Sequence, residues 1–307
     1  MTTKTRSRRT WLAAASAIAV TMALAVAGCG KSGEEPQAEA PVASPQANPA
    51  LQERLPAEIK QAGVVQIGTE ALYPPFESFG PDNKTIVGLD PDLATALGQV
   101  LGIKVNMTHT SFEGLLTALD GGRYDLVMAA VTDTKARQEK YDFVDYFMTG
   151  QSIVVKKGNP TGIKGIADLC GKNVAVLTAS TQQKLLGEFN QKDCAANPIK
   201  VTALPSDKDA LLQVQTGRAD ASFTQDAVAA YNAKTIGGGA QFEVANSEPL
   251  LPTPVGMVFN KNETQLRDAV QAALKEVIAA GTYDQILQKY DLTSGALKDA
   301  PINSGTA

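Results

Sequence analysis

The chain has 307 residues, 44% of them hydrophobic and 20% charged, enough apolar content to bury one large core or two ordinary ones. Its formal net charge is −4 with no basic cluster in its body, which excludes nucleic acid as a partner because phosphate neutralisation needs a Lys/Arg surface. A single histidine, His109, leaves neither a histidine-based metal site nor a Ser-His-Asp triad, and no motif calls for a cofactor.

At the N-terminus Lys4, Arg6, Arg8 and Arg9 precede an uncharged run from Trp11 to Ala27, the pattern of an export signal. Val26-Ala27-Gly28-Cys29 matches the lipobox of bacterial lipoproteins. Residues 1–28 are therefore expected to be a signal peptide, with Cys29 acylated as a lipid anchor on the extracytoplasmic face of the cell membrane. The alternative is a plain signal peptide followed by an incidental cysteine. Ser7-Arg8-Arg9-Thr10-Trp11-Leu12 also resembles a twin-arginine motif. Losing those four positive charges would take the remainder from −4 to about −8. From Gly30 to Gln52 the chain is Pro, Ala, Glu, Gln and Ser with few bulky apolar residues, so residues 29–54 are expected to form a flexible tether.

Beyond it, β-rich runs alternate with helical patterns. Val64–Gly68 reads as a strand, Pro91–Leu101 as a helix and Asp125–Val131 as a buried strand. Asn173–Leu177 is a further strand, followed by helices at Thr181–Asn190 and Asp207–Thr216 and a strand at Ala219–Phe223. Glu263–Tyr290 is a long amphipathic helix broken near Gly281, and the last dozen residues read as frayed. Such alternation predicts an α/β fold with mostly parallel strands. A short internal echo divides it. Leu115-Leu116 leads through a helix to Gly122-Arg123-Tyr124-Asp125, and Leu211-Leu212 leads likewise to Gly217-Arg218-Ala219-Asp220. Gly63 before the first strand is matched by Gly171 before the strand at Asn173. With Cys29 set aside, Cys170 and Cys194 form an even pair in an oxidising compartment, where a disulfide is the default and two buried thiols the alternative.

Ligands of open α/β sheets bind beyond the carboxyl ends of the strands. Those ends are Thr69-Glu70, Thr132-Asp133-Thr134, Thr178-Ala179-Ser180-Thr181 and Thr224-Gln225-Asp226, two in each half. Short hydroxyl, amide and carboxylate side chains there suit a small, charged, polar solute. Ser180 with Gln183 reads as a capping box, which points the N–H groups of that helix into the cleft and favours an anion.

From about Gly63 to Tyr290 the sequence resembles the polar-amino-acid solute-binding proteins of ABC importers. The resemblance lies in Gly68-Thr69-Glu70-Ala71-Leu72-Tyr73-Pro74-Pro75-Phe76-Glu77, Gly88-Leu89-Asp90-Pro91-Asp92-Leu93 and Thr132-Asp133-Thr134-Lys135-Ala136-Arg137. It continues in Asp142-Phe143-Val144-Asp145-Tyr146, Asp168-Leu169-Cys170-Gly171-Lys172, Gly217-Arg218-Ala219-Asp220-Ala221 and Gly281-Thr282-Tyr283. The cysteine pair after Asp168-Leu169 looks like a branch common in actinobacteria. The resemblance implies a two-lobed periplasmic-binding-protein clamshell, each lobe a mostly parallel sheet flanked by helices. Lobe 1 would comprise residues 55–150 and 252–292, lobe 2 residues 151–251, and residues 293–307 a C-terminal tail. Crossover strands would pass near Gly150-Gln151-Ser152 and Pro252-Thr253.

The same resemblance implies roles for individual residues. Tyr73 would cover the ligand and Phe112 pack on its other face. Arg137, with backbone donors near Ala130 and Thr181, would hold a carboxylate, and Ser180 is expected among the ligand-binding residues. Thr132 would meet the ligand's amino group and Glu70 a side-chain cation. One departure matters: where the family carries the aspartate that pairs with the ligand ammonium, this chain has Gln225, with Asp226 following. Ala179 also replaces a usual glycine. The implied function is non-enzymatic: a monomer that captures an amino acid or cationic analogue and delivers it to an ABC permease and its ATPase. A clamshell dehydratase using Glu70 as general acid, and a solute sensor, are the alternatives.

Overall fold

The computed structural model describes residues 45–306; the signal peptide, Cys29 and most of the expected tether lie outside the described residues. In chain order, α1 (Pro49–Gln52) and α2 (Ala57–Ala62) lead into β1 (Val64–Thr69). A small antiparallel sheet follows, formed by β2 (Leu72–Tyr73), β3 (Glu77–Phe79) and β4 (Ile86–Val87). Next come α3 (Leu89–Leu101), β5 (Lys104–His109), α4 (Phe112–Asp120), β6 (Leu126–Thr132), the single turn α5 (Lys135–Gln138) and the long β7 (Tyr141–Lys156). A second series holds β8 (Asn173–Leu177), α6 (Thr181–Gln191), β9 (Lys200–Leu204), α7 (Asp207–Thr216), β10 (Ala221–Gln225), α8 (Asp226–Thr235) and β11 (Phe242–Val244). The chain returns through β12 (Leu250–Asn260) and ends on α9 (Thr264–Ala279) and α10 (Thr282–Lys289).

The large sheet runs β5-β1-β6-β12-β7-β10-β8-β9. β1 is parallel to β5 and β6, and β8 is parallel to β9 and β10, so both halves repeat one strand order with the first strand central. Between them β7 and β12 run antiparallel, Thr149 opposite Thr253 and Gln151 opposite Leu250, where the two crossovers were expected. Gly150 allows this close approach: a Cβ there would meet Pro249 at 2.6 Å and the Leu250 carbonyl at 2.8 Å. The cores separate in part. One apolar cluster lies in the first half with Val258 of β12, two are built on buried residues between Ile153 and Phe242, and the fourth, formed by the first half and the C-terminal helices, also takes in Ala227 and Val228 of α8. The molecule is a two-lobed clamshell, as the resemblance implies.

The internal echo proves structural. Asp125 accepts the Gln66 N–H at 2.6 Å and donates its own N–H to the Gln66 carbonyl; Asp220 does the same with Asn173, its carboxylate accepting at 2.8 Å. Each aspartate thus pins the entry of one strand to the central strand of its lobe. The second of these strands starts at Ala221 rather than at Ala219, where the sequence pattern has it, because the N–H groups of Arg218 and Ala219 are still bonded to the Gln213 carbonyl at the end of α7. Cys170 and Cys194 are joined by a disulfide that clips the loop before β8 to the end of α6.

Both ends of the described chain correct an expectation. The tether was to reach residue 54, yet Asn48 caps α1, its N–H bonds the Val100 carbonyl at 2.8 Å, and Leu51 is buried. The C-terminal residues are not frayed. Ile302 bridges to Val144, Asn303 exchanges hydrogen bonds with Phe143, and Ser304 donates to Asp145 at 2.6 Å. The segment covers the edge of β7 that β12 leaves unpaired, satisfying backbone groups an exposed edge strand would present.

Candidate functional site

The four strand ends named from sequence meet where the lobes face each other. β6 ends at Thr132, and α5 turns Arg137 back so that its Nη1 donates to the Thr132 carbonyl at 2.8 Å and, across the cleft, to the Thr181 hydroxyl at 3.2 Å. The Phe112 ring lies beneath the guanidinium, 5.9 Å from centroid to Cζ. Enclosure lowers the guanidinium to about 10, with Asp133 and Tyr141 opposing, so it stays charged at neutral pH. Among the described residues no carboxylate forms an ion pair with it. A cavity of about 50 Å³ remains beside it, between Phe112, Val131 and Ala179.

Thr181 opens α6. The Ser180 hydroxyl accepts the Gln183 N–H at 3.1 Å and donates to the Leu177 carbonyl at 2.6 Å. The capping box is shifted by one residue, because Gln183 reaches the Ala179 N–H rather than that of Ser180. Ser180 is therefore corrected from a ligand contact to a cap: its hydroxyl and its N–H, which bonds Leu177, are both engaged. Ala179 sits at φ +60°, a left-handed conformation that accounts for the family's glycine at this point.

Ala130 also needs correcting. Its N–H, expected as a donor to the carboxylate, faces the interior, where Asp90 accepts at 3.3 Å and the Tyr146 hydroxyl at 3.2 Å. What Ala130 offers the cleft is its carbonyl, and that oxygen accepts from Gln225 Nε2 at 2.9 Å. Gln225 Nε2 also lies 3.4 Å from Thr132 Oγ1, while Gln225 Oε1 is buried without a partner. Asp226 is engaged at the crossover strand. Its Oδ1 accepts the Gly150 N–H at 2.7 Å and the Thr149 hydroxyl, holding α8 to the crossover strand. Tyr73 spans the lobes: its hydroxyl pairs with Thr224 Oγ1 at 3.0 Å and accepts the Gln225 N–H at 3.3 Å.

Glu70, just beyond β1, is 1% exposed and neither carboxylate oxygen has a partner. Burial, then the charge of Asp207, raises its pKa to about 8. Asp207, at the start of α7, is likewise pushed up to about 6 by burial, against hydrogen bonds from Thr224 and Asn232. Deeper in lobe 1, burial drives Glu77 upward and the neighbouring Asp90 adds to it. A cavity of about 510 Å³ opens on this acidic side, between Ala71, Leu72 and Phe79 of lobe 1 and Asp207, Leu211 and Tyr231 of lobe 2. The cleft is thus polarised, a cation at the Arg137 end and uncompensated acids at the Glu70 end. Asp207 was missed from sequence, where an acid in a helix's first turn reads as an ordinary dipole partner. Among the described residues no three side chains converge as a metal site.

Residues 65–293 match the model of the bacterial extracellular solute-binding proteins, family 3. The chain belongs to this family. It is 32% identical over 234 residues to the L-cystine-binding protein TcyA of Bacillus subtilis, covering 76% of this chain and 83% of that one. Among solved structures, an ancestral arginine-binding protein bound to arginine is similar with a TM-score of 0.69 and 35% identity, covering 74% of this chain and 98% of that one. An ancestral amino acid-binding protein described as a precursor of cyclohexadienyl dehydratase is similar with a TM-score of 0.68 and 35% identity, covering 76% and 97%. No helix among the described residues is long and apolar enough to cross a membrane.

Proposed function

We propose that this chain is the solute-binding component of an ABC importer that captures a polar amino acid or close cationic analogue by hinge closure and delivers it to the permease. The observation that carries the reading is Arg137: a guanidinium enclosed between lobes, fixed by Thr132 and Thr181, with no carboxylate among the described residues paired to it. An Arg fork so held supports bidentate recognition of a ligand carboxylate. Glu70, without a partner, supports a cationic nitrogen at the other end. The TcyA protein's cystine and the ancestral protein's arginine both carry these two groups. Cys29 would anchor the monomeric protein to the outer face of the membrane, within reach of the permease and its ATPase. Closure by contacts from both lobes would form the surface the permease accepts.

Isothermal titration of the purified soluble domain with basic and neutral amino acids and their analogues tests the reading. Binding of a solute with both groups, returned chemically unchanged, is expected; no binding of any such solute would overturn it. One observation favours a second reading, a dehydratase. Glu70, raised to about 8, is protonated at neutral pH and able to serve as a general acid. Turnover of a hydroxylated cyclohexadienyl acid that disappears in Glu70→Gln would favour that reading.

A further inference from the structure

We infer that Gln225 supplies from within the chain the donor that a ligand's α-ammonium would otherwise provide, so that the cleft suits a carboxylate whose cationic nitrogen lies at the far end of its chain, an ω-amino or ω-guanidino carboxylate. The inference rests on the reading of Arg137 as the carboxylate site.

The α-ammonium of an amino acid is one carbon away from its carboxylate. It must therefore find acceptors within a few ångströms of whatever holds that carboxylate. Around Arg137 the backbone and hydroxyl acceptors each already take a donor, and the acceptor left without one is the neutral Gln225 Oε1. The Thr132 carbonyl takes Arg137 Nη1 at 2.8 Å, and the Ala130 carbonyl takes Gln225 Nε2 at 2.9 Å, with Thr132 Oγ1 at 3.4 Å from the same nitrogen. The orientation of the Gln225 amide is fixed, because a carbonyl oxygen can only accept and the group facing Ala130 must be the NH₂. The Tyr73 hydroxyl is likewise taken, by the Gln225 N–H and Thr224.

Nor, among the described residues, does the hydrogen-bonding leave a carboxylate free to pair with an ammonium there. Asp226 is bound to Gly150 and Thr149, and Asp133 to Gln138 at 2.9 Å and the Gly305 N–H at 2.7 Å. Asp90 faces the Ala130 N–H from the interior. An incoming α-ammonium would meet the Gln225 NH₂, itself a donor, and would gain only neutral acceptors such as Gln225 Oε1 in place of a carboxylate. At the other end the two Glu70 oxygens are buried with no partner, close enough to Asp207 of lobe 2 to feel its charge. The cleft thus holds a guanidinium at one end, the acids Glu70 and Asp207 at the other, and neutral groups between them. Their complement is a zwitterion with its charges far apart and nothing charged on the α-carbon.

The test compares solutes that differ by one group: L-lysine against ε-aminocaproate, L-arginine against δ-guanidinovalerate, and both against cadaverine and agmatine, by isothermal titration on wild type, Gln225→Asp and Arg137→Ala. The desamino acids are expected to bind wild type at least about tenfold more tightly than the parent α-amino acids, equivalent to about 1.4 kcal/mol. Gln225→Asp should reverse that order. Equal or tighter binding of L-lysine and L-arginine to wild type, lost in Arg137→Ala, would overturn the inference while leaving the carboxylate site standing. Binding of the carboxylates that survives Arg137→Ala unchanged, or binding of the two amines alone, would overturn the underlying reading and the inference with it. The wild-type comparison needs no variant to fold.

Discussion

Arg137 in lobe 1 donates to the Thr181 hydroxyl in lobe 2 at 3.2 Å, so one guanidinium ties the two lobes together across the cleft. Arg137→Ala should lower affinity for any carboxylate solute at least tenfold, about 1.4 kcal/mol, because the bound carboxylate would be left unpaired in an enclosed site. Arg137→Lys keeps the charge but loses the planar fork, and should recover only part of the loss. Titration calorimetry on the two variants checks both statements.

Glu70 gives the protein a pH signature. Its folded-state pKa of about 8 stands above the ordinary glutamate value of about 4.3, so the folded form holds this proton more tightly than the unfolded chain. The stability tied to it is fully present below about pH 4.3 and is lost as pH rises through about 8. The thermal midpoint of the ligand-free protein should therefore fall from pH 5 to pH 8. Glu70→Gln should reduce the slope without removing it, since Asp207 at about 6 and Asp145 at about 7 act in the same window. Affinity for a cationic solute has the opposite trend: it needs ionised Glu70 and should rise towards pH 8, by at most about tenfold per pH unit. A neutral solute should show no such rise.

Much of this fold is legible in the sequence because its determinants are local. Ser206 and Gly217 bracket α7 as N-cap and left-handed C-cap, and the helix runs from Asp207 to Thr216 as its pattern predicts. The site is less legible. Whether Asp226 meets a ligand or a backbone N–H depends on Gly150, 76 residues away, and nothing local to Gln225-Asp226 announces that. Ala130 shows the same limit, since β6 twists its N–H inwards to Asp90 at φ +44°. The C-terminal segment fails as a sequence reading for a related reason: Ile302 and Asn303 are stabilised by the edge of β7, not by their own periodicity.

That segment should matter for stability. Truncation after Ala300 removes the Asn303–Phe143 exchange, the Ser304–Asp145 bond and the Gly305–Asp133 bond. At about 1 kcal/mol for each hydrogen bond, a loss of about 3–4 kcal/mol is expected by urea denaturation. The uncovered strand edge should also promote self-association, measurable by light scattering.

The disulfide should contribute without touching the cleft. Cys170 and Cys194 are 24 residues apart, and closing such a loop is worth about 3 kcal/mol on the chain-entropy model. Reduction, or Cys170→Ala with Cys194→Ala, should lower the thermal midpoint by several degrees while solute affinity stays within twofold. Peptide mapping under non-reducing conditions should recover the two cysteines as one linked species.

Asp226 offers the sharpest separation between hinge and ligand roles. Its carboxylate holds the Gly150 N–H at 2.7 Å and the Thr149 hydroxyl, at the point where β7 passes from one lobe to the other. Asp226→Ala leaves both donors without that acceptor, at a cost of about 1–3 kcal/mol of stability for each group that stays buried. It should also shift the balance between open and closed lobes, and so weaken every solute by a similar factor, whatever its charge. Were Asp226 instead a direct partner of the ligand's cation, the loss would fall on cationic solutes and spare neutral ones. Titrating the variant with ε-aminocaproate and with caproate, its uncharged-end counterpart, distinguishes the two. Equal losses for both are expected, together with a lower thermal midpoint in the ligand-free protein. A loss confined to ε-aminocaproate, with the midpoint unchanged, would return Asp226 to the binding site and detach it from the hinge.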